Sequence, residues 1–530
     1  MKKQTKGMIF FVAIGGLLLF WGASASMQGF SPSDSESEMT ITGTPADNFP
    51  DEIRAQFCGT GSAKSNAYVK EYKIPTDCTQ PLAITTDPQG NVWFAETNTG
   101  NIAKFDSTTE TFTEYENPTW PENARSMMWG MDYSSDGSIW YTDDAFDSVW
   151  KFSIQDENYQ RFNFPTEGES LPQRLQVVGS QVIVNDFTGN KITFLDAAQS
   201  SEELTYVSLP SPVPNSATGG FAIDSDDNLW YTNWIFQQDG VLVRFDQEDF
   251  FTSLSNSEGS LPPLFNFLRL VPLPLGLNTP NGVAVDSDGK IWLAETSSSY
   301  FFSFDPGTKS FTKYVTSDPT ISTYGNASGL IKNPVTRPYW ITLDENDRLV
   351  FNEQTANRIA IFDPKIETLT EYVAPSKNPN WADCEQIKDC GLAQIFDFTI
   401  DGSKIWFTEW VENNIGVLDT SVQLPFKVEL DNTQISLGKG ETITLTLQVI
   451  PLTNDDIPIV QVITADTEGF SDIMIETDVT QFQLDFDGPR IIQTSITIDE
   501  NALATSHKIL IGAQTDEVTI SKYITLTIES

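Results

Sequence analysis

Pro81-Leu-Ala-Ile-Thr-Thr-Asp-Pro-Gln-Gly-Asn-Val-Trp-Phe-Ala-Glu96 and Pro280-Asn-Gly-Val-Ala-Val-Asp-Ser-Asp-Gly-Lys-Ile-Trp-Leu-Ala-Glu295 are two copies of one unit. Each reads as an apolar strand, an Asp/Gly turn, and a second strand that ends on a carboxylate. Looser copies run over Trp129–Asp143, Arg174–Asp186, Gly219–Asn233, Tyr339–Glu353 and Ile395–Glu409, about 50 residues apart. A third strand ending in Phe-Asp or an equivalent pair follows each copy, from Ile102–Asp106 to Ile415–Asp419. Seven such units predict an all-β fold, a seven-bladed β-propeller over residues 66–423.

A fourth strand follows six of the seven units, and the last unit stops at Asp419 without one. The missing copy, Tyr68-Val-Lys-Glu-Tyr-Lys-Ile-Pro75, precedes the first unit. The N-terminal segment is therefore expected to supply the outer strand of the last blade, because an open ring leaves an unpaired edge. After residue 423 the period changes to eight short β-branched strands, and residues 424–530 read as an immunoglobulin-like β-sandwich.

Composition bounds the partners. The chain has 530 residues, 73 acidic against 31 basic, and a net charge of −42. Such a surface repels nucleic acid and anionic lipid, so no nucleic-acid partner is expected. Lys2, Lys3 and Lys6 precede an apolar run from Met8 to Trp21, then Ala23-Ser24-Ala25. Residues 1–26 read as a signal peptide or an N-terminal membrane anchor, and both readings remain open. Residues 27–65 read as a flexible acidic tether, so the chain is expected outside the cytoplasm, touching membrane only through its N-terminus. Four cysteines in such a chain imply two disulfides. Cys384 with Cys390 and Cys58 with Cys78 is one pairing; Cys78 with Cys390 would instead staple neighbouring blades.

The repeat, with Asp-x-x-Gly-Asn-Val-Trp-Phe-x-Glu, a strand ending Phe-Asp, and Phe-Thr-Glu-Tyr, resembles that of the streptogramin lyases, the virginiamycin B lyase family. It is similar, more distantly, to NHL-type propellers. The resemblance covers about residues 68–420. It implies a seven-bladed propeller that opens a cyclic depsipeptide by elimination, using a catalytic histidine and a Mg²⁺ ion held by glutamate. This chain departs from that pattern: its single histidine, His507, lies in the sandwich, so no catalytic residue is carried over.

Two sets of side chains belong to the face that carries the loops into the first strand of each blade. The first is a ring of Glu96, Asp143, Asp186, Asn233, Glu295, Glu353 and Glu409. Glu96, Glu295, Glu353 and Glu409 are candidate ligands for Mg²⁺ or Ca²⁺, since hard cations want oxygen. The alternative is a repeated acceptor for the following turn. The second set breaks the repeat: Arg125, Trp129, Arg174, Trp234, Arg337, Tyr339, Trp340, Phe396 and Trp410. Arginine beside aromatics is the composition of a binding surface for a small molecule, glycan or protein, and also of packing at a channel mouth. The repeated Trp93, Trp140, Trp230, Trp292 and Trp406 read as inter-blade packing, and Asp-x-Asp-Gly turns such as Asp286–Gly289 as plain turns rather than calcium loops. A binding module, a metal-dependent lyase-like or hydrolytic enzyme, and a cell-surface structural component are the three functions compatible with this reading.

Overall fold

The computed structural model describes residues 59 and 62–529 apart from 122–123, 125, 164–169, 198–205, 236–237, 239, 258–260, 326–333, 383, 386, 454–458, 468–471 and 486–487. The expected leader, most of the tether, Cys58, Arg125 and the Asn326-Ala-Ser glycosylation sequon lie outside the described residues.

Seven antiparallel sheets of four propeller strands follow one another along the chain. In blade 1, Pro81–Thr86 pairs with Asn91–Glu96, which pairs with Asn101–Asp106, which pairs with Thr111–Tyr115. Each first strand stands at one end of its sheet, so its free edge is turned toward the ring axis. The seventh sheet is closed as the offset of the repeats requires. Val69–Lys73 adds to Asn414–Asp419, with Tyr72 opposite Ile415.

The repeated tryptophans are buried between blades: Trp93 packs near Phe152, Trp292 near Phe362, and Trp406 near Phe105. They also explain the Asp/Gly turns. The Oδ2 atoms of Asp87, Asp224 and Asp286 accept the indole N–H of Trp93, Trp230 and Trp292 at 2.8–2.9 Å. Their Oδ1 atoms accept two backbone N–H groups of the turn. Each aspartate thus ties its own turn to its own tryptophan.

Among its described residues the C-terminal domain has nine strands, one more than the eight expected; Ile473–Thr477 is the addition. One sheet runs in the order Phe426–Leu430, Thr442–Pro451, Arg490–Ile498, Ile473–Thr477. The other is continuous with the propeller, which the sequence reading did not foresee. Val518–Ile528 pairs antiparallel with Thr368–Val373, the outer strand of blade 6, with Thr370 opposite Ile520. Tyr523 is buried among Phe301, Tyr314 and Phe362, and its hydroxyl donates to the Val315 carbonyl at 2.6 Å. Lys508 of the C-terminal domain pairs with Glu367 of blade 6. A sheet edge that would otherwise attract another chain is thereby covered. A nine-residue helix, Gln247–Ser255, and a 3₁₀ turn, Leu264–Asn266, interrupt blade 4 before its outer strand.

Candidate functional site

The axis is shaped by a local irregularity in the first strands. In blades 1, 3, 4, 6 and 7 two residues per strand slip out of register with the second strand: Leu82 and Ala83, Gln173 and Arg174, Gly219 and Gly220, Tyr339 and Trp340, Phe396 and Asp397. A bulge of this kind turns side chains away from the sheet faces. Their backbone groups are satisfied from the residue just before each ring position. Asn185 Oδ1 accepts the Arg174 N–H and Asn352 Oδ1 the Trp340 N–H. Asn185 and Asn352 then donate to Thr218 O and Ile395 O of the next blade, while Thr142, Thr232 and Thr408 donate to Gln173, Pro280 and Leu82 carbonyls. Sequence reasoning missed these five residues. The available signal was an Asn or Thr directly before the ring position in five of the seven copies.

The bulged side chains meet across the axis. Gln173 of blade 3 donates to the Tyr339 hydroxyl of blade 6 at 2.9 Å. Trp129 of blade 2 stands 5.8 Å from Phe396 of blade 7, and Tyr339 4.5 Å from Trp340. Trp410 continues the cluster between Phe396 and Trp381. Gly220 leaves the space: a Cβ there would lie 3.0 Å from the Trp340 ring and 2.6 Å from Asn281 O. Trp129, Tyr339, Trp340, Phe396 and Trp410 are all buried and pack together as a plug in the loop-face half of the axis. Trp234 is buried against Phe187, in the same hydrophobic cluster. Arg337 sits in the left-handed region at φ 56°, and burial pushes its guanidinium down to about 10.

The ring carboxylates are completely buried but do not come together. Glu295 accepts the Asn278, Thr279 and Ser297 N–H groups and the hydroxyls of Thr279 and Ser297. Glu353 accepts Arg358 Nε at 2.5 Å, and Arg358 also reaches Glu371 at 3.3 Å. Glu409 accepts Asn414, and Glu96 accepts Thr99. Asp143 accepts Ser126, Trp150, Ala145 and Phe146; Asp186 accepts Ser170, Leu171 and Gly189. Among the described residues no three His, Cys, Asp or Glu side chains are grouped to hold a metal ion. The four candidate ligands therefore do not fit Mg²⁺ or Ca²⁺ as one site. Burial raises the Glu96 carboxyl to about 8, Asp144 to about 7 and Asp143 to about 6. Burial also pushes Glu353 up, with Arg358 opposing it, and raises Glu409 well above the ordinary range, with Glu71 adding to it.

Below the plug the axis opens into a cavity of about 310 Å³, lined by the later residues of all seven first strands. Arg174 carries the chemistry there. Its NH1 pairs with Asp397 of blade 7 at 3.2 Å, and its guanidinium lies 5.3 Å from the Trp340 ring. Asp397 also accepts the Ile84 and Phe398 N–H groups, and burial raises it to about 6 despite the arginine. Asp132 accepts the Val177 and Tyr133 N–H groups and is raised by burial. Thr85, Gln176, Thr342 and Thr399 add polar side chains to the wall.

Cys384 and Cys390 form one disulfide, with Cα atoms 5.6 Å apart. Cys78 is also disulfide-bonded, so the Cys78–Cys390 alternative is excluded. Among the described residues no helix is long and apolar enough to cross a membrane.

Fold and axis together define a closed seven-bladed propeller carrying a docked C-terminal β-domain. Residues 54–252 match the virginiamycin B lyase family. Virginiamycin B lyase from Staphylococcus aureus superposes with a TM-score of 0.50 at 20% identity, covering 68% of this chain and 99% of that one. A catalytically inactive variant of that enzyme with quinupristin gives the same values. A streptogramin B lyase gives a TM-score of 0.49 at 23% identity, covering 67% and 99%. No curated protein matches. The propeller is thus virginiamycin-B-lyase-like in fold, as its repeat implied, and fold alone does not assign activity.

Proposed function

We propose that this protein is an extracytoplasmic, surface-tethered propeller that binds a ligand and does not carry out the lyase elimination. One observation carries the reading: the single histidine, His507, lies in strand Ser506–Gln514 of the C-terminal domain. The propeller has no imidazole to act as a base near neutral pH. The buried carboxylates are dispersed around the ring: Glu295 has both oxygens engaged by its own turn, while Glu96, Glu353 and Glu409 each have one oxygen engaged and one without a hydrogen-bond partner among the described residues. The basic and apolar leader, the acidic tether and the disulfides support export and tethering. The ligand classes that fit a propeller of this kind are a small molecule, a glycan or a protein.

The full chain incubated with quinupristin and Mg²⁺, followed by mass spectrometry, tests the reading. Intact quinupristin is the expected result. Time-dependent ring opening that is lost in Glu353→Gln or Glu409→Gln would replace it with the metal-dependent lyase-like enzyme.

A further inference from the structure

The turn-face half of the axis has charge and hydrogen-bonding capacity that the protein does not use. Arg174 has five guanidinium N–H groups. One is engaged by Asp397, and the others have no partner among the described residues. Its side chain is 30% exposed and lines the cavity. Trp340 lines the same cavity, and its buried indole N–H has no hydrogen-bond partner among the described residues. Asp397 balances the arginine charge, whereas Asp132, on the wall from blade 2, has only backbone N–H partners. The cavity thus presents free guanidinium donors and, within reach of the same arginine charge, a carboxylate whose only hydrogen-bond partners are backbone N–H groups. Its volume of about 310 Å³ is at the lower end of small-molecule sites. The plug of Trp129, Tyr339 and Phe396 closes the loop-face side.

We propose that this cavity is a binding site for a small zwitterion of free amino-acid size, with Arg174 taking its carboxylate and Asp132 its ammonium group. A planar guanidinium backed by an indole ring suits a two-point grip on a carboxylate. An anion alone would meet Asp132, and a cation alone would meet Arg174, so the paired charges select for a molecule that carries both. The proposal gives a ligand class and place to the binding reading above, and rests on that reading only for its biological meaning.

The test titrates the full chain with each of the common L-amino acids by calorimetry. The best binder is then compared with its N-acetyl and its carboxamide derivatives. The expected result is saturable binding, with each derivative at least ~10-fold weaker. Arg174→Lys keeps the charge opposite Asp397 and should erase the discrimination against the carboxamide. Asp132→Asn should erase the discrimination against the N-acetyl form. Thr342→Phe, which fills the cavity without touching either charge, should abolish binding while leaving the circular dichroism spectrum unchanged. Absence of binding by every amino acid up to ~20 mM overturns the proposal. So does binding that persists unchanged in Thr342→Phe and Arg174→Lys. The quinupristin assay is read separately, so ring opening there would sink the functional reading without deciding this site.

Discussion

The two halves of the propeller axis are built from the same seven strands and behave oppositely. In the loop-face half, bulges direct Gln173, Tyr339, Trp340 and Phe396 inward until they touch across the ring. In the turn-face half the strands are regular, their free edges stay apart, and a polar cavity remains. The repeat sets the scaffold; what occupies its centre is set by the residues displaced in the irregular first strands, such as Gln173 and Arg174 in blade 3 and Tyr339 and Trp340 in blade 6. Arg174 and Trp340 belong to both halves, since both are displaced by bulges and both line the cavity, while Asp397, itself buried, holds the Arg174 guanidinium.

The largest expected effect breaks that link. Arg174→Ala leaves Asp397, 1% exposed, without its cation, and should cost about 2–4 kcal/mol by urea denaturation. The double change Arg174→Met with Asp397→Asn should recover much of the loss. A loss below ~1 kcal/mol would mean that the pair does not tie blade 3 to blade 7.

A comparable effect is expected where the C-terminal domain meets blade 6. Tyr523→Ala removes a buried ring and its bond to Val315, and should cost about 3–5 kcal/mol. It should also split a single thermal transition into two, because the sheet that joins the domains loses its central packing. A single transition of unchanged midpoint would contradict the docking.

Acidity should sharpen the contrast between buried and open regions. Glu96 at about 8, Asp144 at about 7, and Asp143 and Asp397 at about 6 are all raised by burial. The folded state therefore holds more protons than the unfolded one between roughly pH 4 and 8. Stability should fall as pH rises through that window and be greatest at its acidic end. Urea midpoints at pH 5 and pH 8 check the sign.

The smallest effect concerns a gap in the repeat. Trp140 of blade 2 has no indole partner among the described residues, because Ser134 stands where blades 1, 4, 5 and 6 carry aspartate. Ser134→Asp should restore the bond and stabilise by about 1 kcal/mol, read as a raised melting temperature. Asp286→Ala should cost a similar amount or more.

The offset of the repeats was sufficient to anticipate the clasp, since Tyr68–Pro75 has the sequence of a fourth strand and Asp419 lacks one; Val69–Lys73 does pair there. The lyase-like repeat was legible for the same reason: its turns and tryptophans are local chemistry. The docking of Val518–Ile528 onto blade 6 was not, because edge pairing between strands 150 residues apart leaves no periodic trace. The site was half legible. Arg174, Tyr339, Trp340 and Phe396 stood out by breaking the repeat. Their inward aim depends on bulges that the alternation of apolar and polar residues does not encode. Asp132 and Asp397 were missed because an aspartate beside an aromatic looks like any turn residue until the strand positions are known.

The most direct test of the central claim uses the absence of free cysteine among the described residues. Gln173→Cys places a thiol in the plug, where the native side chain is buried, and Thr342→Cys places one on the cavity wall. A small thiol reagent applied to the native protein should modify Thr342→Cys readily and Gln173→Cys only after unfolding. Rapid labelling of Gln173→Cys with protection of Thr342→Cys would show the loop-face mouth open and the turn-face cavity closed, and would contradict the account.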